Sequence, residues 1–364
     1  MTHIVIVAGG TGGHVFPALA VADVLRAQGK TVSWLGTREG IEARVVPPAG
    51  YALDPVRIQG LRGKGLAGWI AAPVRVARAI WQSLQILRAR KPQAVLAMGG
   101  FVSGPAGVAA RLLRTPLVIH EQNAIAGLTN RLLARIASRV LCGFPETFGS
   151  RPGVHYVGNP VRAAIRAMPA PHARLARHAG RLHLLVVGGS LGAQVFNEVV
   201  PRALALLAPD ERPIVHHQSG IKHIDAARAA YASAGITADA ELLPFIEDMA
   251  AAYDWADVVL CRAGAMTIAE LAAAGVAAVL VPFPHAVDDH QTANARFLTA
   301  RDAALLVPQN DFTPERLAAR IADFNANRAV LARMAEAAHG AAMPDAADEA
   351  ARLTLDVALE VAHA

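Results

Sequence analysis

The stretches IVIVAGGTGGH at Ile4–His14 and LLVVGGSLGA at Leu184–Ala193 share one pattern, in which a short apolar run ends in glycines and opens into a helical segment. Such a turn brings backbone N–H groups and a helix N-terminus to one place, where an anion can bind. Glycine permits positive φ and lets a ligand approach the backbone closely. A third turn, AVLAMGGFVSGP at Ala94–Pro105, repeats the arrangement. One such turn occurs in any doubly wound fold, but three favour a phosphate-handling fold that occurs twice.

Length and composition predict two α/β domains. A chain of 364 residues is too long for one ordinary core, and 54% hydrophobic residues with 5% aromatic residues suit parallel strands buried between helices. The longest uncharged apolar stretch, Leu271–Pro284, contains Gly275 and is shorter than the ~18 residues that span a bilayer. The N-terminus shows no signal-peptide pattern, and the two cysteines form no disulfide framework, so we expect a reducing cytoplasm.

Apolar runs alternate with helical patterns along both halves of the chain, which predicts a parallel sheet in each. The alternation breaks at Val154–Pro171, where we expect the linker. The resulting fold class is α/β, with two Rossmann-like doubly wound domains at residues 1–161 and 162–342. The C-terminal helical segment, about residues 343–364, is expected to pack back on the first domain. The predicted strands are Ile4–Ala8, Thr31–Leu35, Ala94–Met98, Leu117–His120, Val140–Cys142, Ile214–His217, Val258–Cys261 and Ala278–Val281.

The net charge of +6 is unevenly distributed. No Asp or Glu occurs between Pro55 and His120, and ten basic residues fall there, which predicts a positive face. They are Arg57, Arg62, Lys64, Arg75, Arg78, Arg88, Arg90, Lys91, Arg111 and Arg114.

A helix predicted after Pro73 falls inside this acid-free region. Its apolar stripe, preceded by Ile70, comprises Val74, Ala77, Trp81 and Leu84. One interpretation is a core-facing amphipathic helix with a solvated basic face. The other is a helix that lies on an anionic membrane leaflet, where each Lys or Arg adds ~1 kcal/mol. The membrane candidates are Trp69, Ile70, Arg75, Arg78, Ile80 and Trp81.

Several ligand classes are disfavoured by the motifs. The glycine turns lack the G-x-G-x-x-G/A spacing of dinucleotide sites, and no acidic residue is expected at the end of the second strand to hold a ribose. No Walker loop and no D-x-D occur in the sequence. The charge of a departing nucleotide must then be met by helix N-termini and arginine, with no metal and no cofactor, and Ser190 and Arg162 are candidates.

Seven motifs resemble the MurG family of bacterial glycosyltransferases, in the family's order from Ile4 to about Asn294. The resemblance implies a GT-B fold and inverting transfer of N-acetylglucosamine from UDP-N-acetylglucosamine to the MurNAc 4-hydroxyl of undecaprenyl-diphospho-MurNAc-pentapeptide, lipid I, which gives lipid II for peptidoglycan. It also implies peripheral binding to the anionic cytoplasmic face of the inner membrane and a cell-wall or division complex as partner. The motifs are GGTGGH (Gly9–His14), LRGKG (Leu61–Gly65), MGGFVSGP (Met98–Pro105), HEQNAIAGLTN (His120–Asn130), GNPVR (Gly158–Arg162), GGSLGA (Gly188–Ala193) and RAGAMTIAEL (Arg262–Leu271).

By the same resemblance, the C-terminal domain binds the donor and the N-terminal domain binds the acceptor and the membrane. Ser190 and Arg162 would contact the diphosphate, Ile246 the uracil and Glu270 the ribose. Gln291, with His290 beside it, would read the sugar hydroxyls. The further substrate-binding positions are Thr11, Gly12, Gly13, Asn123, Ala265, Met266, Thr267, Ile268 and Ala269.

Inverting transfer needs one base for the acceptor hydroxyl. His14 is the first candidate because it follows the glycine turn and a reference pKa near 6.5 suits proton removal near neutrality. Glu121 is the second candidate, and His120 is interpreted as structural or orienting.

Other functions stay open at this point. A related UDP-sugar enzyme, either a UDP-N-acetylglucosamine epimerase or a diacylglycerol glycosyltransferase, would use the same fold. A catalytically idle membrane adaptor that binds UDP-sugar is a third reading. Nucleic acid is not expected, since no aromatic-rich RNA module or DNA-binding motif accompanies the basic region.

Overall fold

The computed structural model describes residues 2–58, 72–149, 151–189 and 192–362. Two compact units divide the chain: the first comprises Met1–Arg162 and Met343–Ala364, and the second comprises Ala163–Ala342. The prediction of two doubly wound α/β domains is confirmed, because each unit holds one parallel sheet.

The first unit contains a seven-stranded sheet in the order β3-β2-β1-β4-β5-β6-β7, and all its strand pairs are parallel. The register places Ile4 of β1 between Val32 of β2 and Ala94 of β4. The strands are β1 His3–Val7, β2 Thr31–Gly36, β3 Ala52–Pro55, β4 Ala94–Ala97, β5 Leu117–Glu121, β6 Arg139–Cys142 and β7 Val154–Tyr156; the helices are α1 Gly12–Ala27, α2 Glu42–Val45, α3 Ala72–Arg90, α4 Ser103–Leu112 and α5 Leu128–Leu133.

The second unit repeats the topology in a six-stranded parallel sheet, β10-β9-β8-β11-β12-β13. Its strands are β8 His183–Val187, β9 Ile214–Gln218, β10 Ala240–Leu243, β11 Val258–Cys261, β12 Ala277–Leu280 and β13 Ala304–Leu306. Its helices are α6 Ala163–Arg166, α7 Pro171–Leu175, α8 Gln194–Ala205, α9 Ile224–Ser233, α10 Met249–Trp255, α11 Ala265–Ala274, α12 His290–Thr299, α13 Pro314–Ala326 and α14 Arg328–Gly340, with 3₁₀ turns at Val287–Asp289 and Gln309–Asp311.

Central strands and edge strands differ in the polarity of their sequences. β1, β4 and β11 are continuous apolar runs buried on both faces, as parallel strands between helix layers must be. The edge strands β3 and β10 were not predicted, because ALDP and AELL carry polar residues and stay partly exposed. The expected linker Val154–Pro171 is wrong in its first part, since Val154–Tyr156 forms β7 beside β6.

The C-terminal helix α15, Ala346–Ala362, belongs to the first unit. It packs against α1 and β4, and its small apolar face joins the core formed by β1 and α1. Ala350 and Leu353 are buried there, whereas Leu359 near the end of the helix is 51% exposed.

The apolar stripe of helix α3 is not the face that packs on the core. Ala79, Ser83 and Leu87 are buried, and α4 packs against this helix. Val74 and Trp81 of the stripe are 73% and 57% exposed. The core-facing interpretation of that stripe is therefore wrong: small residues at Ala79 and Ser83 let α3 pack closely, and the large apolar side chains face solvent. No helix within the described residues combines the length and hydrophobicity that crossing a bilayer requires.

A matched pair of substitutions tests the place of α15 in the first core. Leu353→Ala removes a buried side chain and should lower the free energy of unfolding by about 2–5 kcal/mol. Leu359→Ala on the same helix should change it by less than about 0.5 kcal/mol. Urea denaturation followed by tryptophan fluorescence measures both, and equal effects would show that α15 does not contribute to this core.

Candidate functional site

The same position in each sheet is the topological switch point, where ligands of doubly wound folds bind beyond the carboxyl ends of the strands. In the first unit it lies between β1 and β4, and in the second between β8 and β11. Each of these four strands ends at one of the glycine-containing motifs. Each unit therefore has one candidate site.

In the first unit, the turns after β1 and β4 pack directly on each other. Gly100 has φ +87°, and a Cβ there would overlap the carbonyl group of Gly9. Gly99 has φ +107°, and the imidazole of His14 occupies the space that its Cβ would need. Only glycine satisfies both the left-handed backbone and the close approach. The third glycine turn therefore fixes the position of His14.

A buried carboxylate lies within the first glycine turn. Glu42, at the start of α2, accepts hydrogen bonds from the Gly10 amide at 3.0 Å and from the amide and hydroxyl of Thr37 at 2.9 and 2.6 Å. Cβ atoms at Gly9 or Gly40 would collide with this carboxylate. Glu42 lies beyond the end of β2, in α2, and binds an amide of the turn as an internal anion.

His14 directly follows Gly13 and lies in the first turn of α1. Its Nδ1 is 3.1 Å from Oε1 of Gln122. Burial lowers the pKa of His14 from 6.5, and the negative charge of Glu121 opposes that shift only in part. The imidazole is therefore neutral at pH 7 and can accept a proton.

Gln122 and His120, both fully buried, connect His14 to the backbone. Nε2 of Gln122 lies 2.8 Å from the Met98 carbonyl and 3.2 Å from Nδ1 of His120. Nε2 of His120 lies 2.9 Å from the Gly158 carbonyl. Burial lowers the pKa of His120 to about 4, so this ring is neutral as well. These contacts are compatible with the structural or orienting role that the sequence predicts for His120.

Glu121, the other candidate base, is 3% exposed, and its carboxylate accepts hydrogen bonds from four N–H groups. These come from the amide and Nδ2 of Asn123, at 2.9 and 3.2 Å, the Gly127 amide at 3.0 Å and Nδ2 of Asn130 at 2.9 Å. A carboxylate so engaged organises the loop that carries Asn123 and presents no lone pair to an acceptor. The geometry favours His14 over Glu121 as the base.

In the second unit, a cavity of about 680 Å³ lies at the switch point. It is bounded by the turn after β8, the turn after β11, and the segment around Phe283. The N-termini of α8 and α11 both reach it, and neither helix has a side chain that caps its first turn. Uncapped N-terminal amides carry partial positive charge and are ready to bind an anion.

Arg262 adds a full positive charge to this cavity. Its NH1 donates to the carbonyls of Val281 and Pro282, at 3.0 and 3.1 Å, and its NH2 donates to Gln309 at 2.7 Å. The guanidinium also lies over the ring of Phe283, 5.4 Å from its centroid. Burial lowers the pKa of Arg262, but an arginine side chain stays protonated in proteins.

The predicted donor residues fall into two groups in this unit. Thr267 and Gln291 line the cavity, and the Phe283 amide donates to Oε1 of Gln291 at 2.8 Å. The first amides of α11, at Ala265, Met266 and Thr267, lack helical partners. The amide of Ile268 instead donates to the Gly264 carbonyl within the helix, and its side chain is buried.

Glu270 and Ile246 lie beside a different helix of the second unit. The Tyr253 hydroxyl on α10 donates to Glu270 at 3.1 Å, which ties the carboxylate of α11 to α10. Ile246 lies in the loop between β10 and α10, just before Asp248, whose carboxylate caps α10 by accepting from the Ala251 amide. α10 therefore positions the loop of Ile246 and the carboxylate of Glu270 together.

Some predicted residues are placed elsewhere or not described. His290 begins α12, and its Nδ1 donates to the Val287 carbonyl at 2.7 Å. Arg162 ends the first unit, with its guanidinium 5.5 Å from the ring centroid of Phe16 on α1. Ser190, Trp69 and Ile70 lie outside the described residues, and so does the LRGKG motif at 61–65. Thr11, Gly12 and Gly13 form the start of α1, where Thr11 is the N-cap residue.

One cluster in the described part of the chain could offer three ligand atoms to a metal: His178, His183 and Asp257. It lies at the amino-terminal edge of the second sheet, opposite the glycine turns, because His183 begins β8. The carboxylate of Asp257 is already engaged by His178 Nδ1 at 2.7 Å, the His183 amide at 2.9 Å and Arg328 at 2.9 Å. This cluster ties the edge of the sheet together.

Sequence reasoning assigned no role to three residues that the structure places at the sites: Glu42, Gln122 and Arg262. Gln122 and Arg262 stand inside quoted motifs, directly after strands β5 and β11, and that position is the signal that could have identified them. Glu42 begins the short helix α2 beyond β2, and nothing in its local sequence pattern links it to Gly10.

Comparisons with known proteins agree with this geometry. Residues 4–142 match the glycosyltransferase family 28 N-terminal domain, and residues 183–350 match the glycosyltransferase family 28 C-terminal domain. The chain is similar to the UDP-N-acetylglucosamine--N-acetylmuramyl-(pentapeptide) pyrophosphoryl-undecaprenol N-acetylglucosamine transferase of Alkalilimnicola ehrlichii, with 58% identity over 98% of this chain and 99% of the relative. The protein of the same name from Ralstonia nicotianae is 56% identical, over 98% and 96% of the two chains.

A solved structure is similar over the whole chain as well. The crystal structure of MurG from Acinetobacter baumannii has a TM-score of 0.83 and 42% identity, and the match covers 98% of this chain and all of that one. Together with the two parallel-sheet units, this similarity confirms the GT-B fold class.

The internal anion of the first glycine turn can be tested by substitution. Glu42→Gln replaces an acceptor oxygen with an NH2 group that faces N–H or O–H donors, so the free energy of unfolding should fall by about 1–3 kcal/mol. Glu39→Gln, at an exposed position in the same loop, is the matched control and should cost less than about 0.5 kcal/mol. Chemical denaturation measures both, and a Glu42→Gln protein as stable as the control would contradict the assignment.

Proposed function

This chain belongs to glycosyltransferase family 28, and we propose that it transfers N-acetylglucosamine from UDP-N-acetylglucosamine to lipid I, which gives lipid II in peptidoglycan synthesis. The acceptor group is the 4-hydroxyl of MurNAc in undecaprenyl-diphospho-MurNAc-pentapeptide. Relatives that share 54–58% identity over nearly the full chain carry the name of this transferase. The comparisons do not favour the alternatives of an epimerase or a diacylglycerol glycosyltransferase.

The observation that carries the proposal is the pairing of one anion cavity and one neutral histidine, each at the switch point of its unit. The donor diphosphate binds in the cavity of the second unit, where uncapped amides of α8 and α11 and the guanidinium of Arg262 meet its charge. Glu198, the carboxylate that lines this cavity, is engaged by Gln194 at 2.6 Å.

The rest of the donor is assigned by the family's motifs and by the placement of their residues. Glu270, held by Tyr253, accepts from the ribose hydroxyls, and the backbone of Ile246 meets the uracil. Gln291, oriented by the Phe283 amide, donates through its NH2 group to the sugar hydroxyls. Arg162 and Ser190 contact the diphosphate, and Asn123, held by Glu121, faces the acceptor.

The reaction is a single displacement. The neutral imidazole of His14 takes the proton of the acceptor 4-hydroxyl, whose oxygen forms a bond to the anomeric carbon. The bond between that carbon and the diphosphate oxygen breaks on the opposite face, and UDP leaves with the electron pair. The result is inversion from the α-linked donor to a β-linked product. His14 suits the base role because its pKa lies below 6.5 and its ring is held by Gly99 and Gln122.

The first unit also presents a surface that suits an anionic membrane. Helix α3 exposes Val74 and Trp81, and α4, which packs on α3, exposes Leu112. The arginines at positions 75, 78, 111 and 114 lie on the same two helices or directly after them. We propose that this surface holds the protein peripherally on the cytoplasmic leaflet, close to the lipid-linked acceptor. Ile80, one of the predicted membrane residues, is half-buried and contributes little.

A transfer assay tests the function. Purified protein with radiolabelled UDP-N-acetylglucosamine and a lipid I analogue in detergent should yield a labelled disaccharide lipid. His14→Gln should lower kcat by about 10²- to 10⁴-fold with little change in KM for the donor, because general-base catalysis contributes that much. His172→Gln, at a side chain that is 78% exposed, is the matched control.

The pH dependence has a definite sign. His14 is active when neutral and burial lowers its pKa from the usual 6.5, so the loss of kcat/KM on acidification should have its midpoint below pH 6.5. Absence of any transfer by the parent protein would refute the proposed function, whereas full activity of His14→Gln would refute only the base.

Vesicle binding tests the membrane surface. Cosedimentation with anionic vesicles should fall steeply as salt rises, because surface charges are screened, and binding to zwitterionic vesicles should be weak. Val74→Ser with Trp81→Ser should reduce binding at every salt concentration, whereas Ile214→Ser, an exposed apolar residue of the second unit, is the control. Unchanged binding by the double variant would place the membrane contact elsewhere.

A further inference from the structure

We propose that Gln122 is a positioning residue for the transfer reaction: its carboxamide holds the proton of neutral His14 on Nδ1 and so leaves the lone pair on Nε2 as the proton acceptor. The observation that carries this inference is an unbroken series of three short contacts from the Gly158 carbonyl through His120 and Gln122 to His14, with a fourth contact from Gln122 to the Met98 carbonyl at its side. The inference rests on the proposed function, since it specifies how the base of that reaction is prepared.

The orientation of the Gln122 carboxamide follows from the groups around it. A carbonyl oxygen accepts hydrogen bonds and donates none, so the atom 2.8 Å from the Met98 carbonyl must be the NH2 nitrogen of Gln122. The opposite assignment would place two oxygens in contact within a buried site. The oxygen Oε1 is therefore the atom that faces His14 at 3.1 Å.

His120 supports the same orientation independently. Its Nε2 lies 2.9 Å from the Gly158 carbonyl, so Nε2 carries a proton and donates. Burial keeps the ring neutral, with a pKa of about 4, and a neutral imidazole has one proton. Nδ1 of His120 is then an acceptor, and it lies 3.2 Å from the NH2 group of Gln122. Both amide hydrogens of Gln122 are thereby used.

The tautomer of His14 is the consequence. Oε1 of Gln122 can only accept, so Nδ1 of His14 must be the donor, and a neutral ring then bears its lone pair on Nε2. In water an imidazole exchanges between its two tautomers, and the one with a proton on Nε2 cannot take a proton there. The series of contacts removes that unproductive tautomer.

The series is rigid because its members are held from several sides. Gln122 is 2% exposed, and its own backbone carbonyl accepts from Nδ2 of Asn159 at 3.0 Å. Rotation of its side chain would leave the buried Met98 carbonyl without a donor, which costs about 1–3 kcal/mol. The ring of His14 cannot turn freely either, since it lies against Gly99.

The charged and titratable groups near His14 are compatible with this role. Glu121, at the end of β5, and Glu42, in α2, both raise the pKa of His14. Both carboxylates accept hydrogen bonds from N–H or O–H donors. His120 stays neutral. The hydrogen bonds of His14 with Gln122 and with the Met98 backbone favour the charged ring, but burial outweighs them and lowers the pKa of His14, so the ring can release its proton after each turnover.

The tautomer can be observed without any assay of activity. In the full-length protein with ¹⁵N-labelled histidine, the His14 signals are identified by their loss in His14→Gln. Their nitrogen shifts should show a proton on Nδ1 and a lone pair on Nε2 at neutral pH. In Gln122→Met, which keeps the side-chain length but lacks the acceptor oxygen, the Nε2-protonated tautomer should appear.

Kinetics then tests the consequence for transfer. Gln122→Met should lower kcat by about 10- to 100-fold, with KM for UDP-N-acetylglucosamine within about twofold of the parent value, since the donor binds to the other unit. Gln122→Glu keeps an acceptor oxygen but adds charge beside Nδ1. It should raise the pKa of His14 and move the acidic limb of kcat/KM to higher pH, a shift that a loss of packing alone would not produce.

Gln93→Met is the matched control, because the Gln93 side-chain oxygen also accepts a hydrogen bond, in its case from the His3 amide, but Gln93 lies at the opposite edge of the sheet. It should leave kcat and the pH profile unchanged. If Gln122→Met folds, retains the Nδ1-protonated tautomer and keeps the parent kcat, the positioning role is wrong although the transferase function stands. If the parent shows no transfer, the proposed function fails, and the tautomer measurement still decides the role of Gln122.

Discussion

The close contact between two glycine turns is the constraint on which the first site depends. Gly100 lies against the Gly9 carbonyl and Gly99 against the ring of His14, both with φ values that other residues rarely adopt. Because β1 and β4 are neighbours at the switch point, their turns must share one small volume. Side chains at Gly99 and Gly100 would separate the turns, and His14 would lose the surface that fixes its plane.

The two units share a topology, but their glycine turns differ in whether a carboxylate of the protein already binds the backbone amides. In the first unit, Glu42 already binds the Gly10 amide, so part of the positive potential is satisfied internally. In the second unit, the turn after β8 opens on a cavity, and Arg262 adds positive charge to it. This difference supports a division in which the second unit binds the donor diphosphate and the first supplies the base. The topology alone does not predict this difference between the two turns, because the difference depends on Glu42, which lies outside the repeated pattern.

Central strands and glycine turns could be predicted from sequence because their signals are local. β1, β8 and β11 are uninterrupted apolar runs, and each ends at a turn or residue of the site. The edge strands could not be predicted, since VHY and AELL gain their conformation from a neighbouring strand. The prediction of the buried face of α3 was wrong for a related reason. Which face of a helix is buried depends on the element that it packs against, and the face of α3 that joins the core with α4 carries Ala79, Ser83 and Leu87. Motif resemblance located His14 and Glu121, but the choice between them needed the hydrogen bonds of the folded chain.

The distribution of charge around His14 shows why a glutamine suits its position. Two carboxylates, Glu42 and Glu121, lie near enough to influence the ring, and each is surrounded by N–H or O–H donors that hold its lone pairs. A third carboxylate in contact with Nδ1 would stabilise the protonated ring and raise its pKa, which would leave less of the free base at neutral pH. A methyl-terminated side chain would leave the tautomer undefined. An amide satisfies both requirements, because it accepts from Nδ1 while adding no charge, and its NH2 group is in turn fixed by the Met98 carbonyl and His120. The imidazole of His14 is thus oriented by neutral hydrogen bonds that begin at the backbone, and the nearby carboxylates organise the loops that hold it.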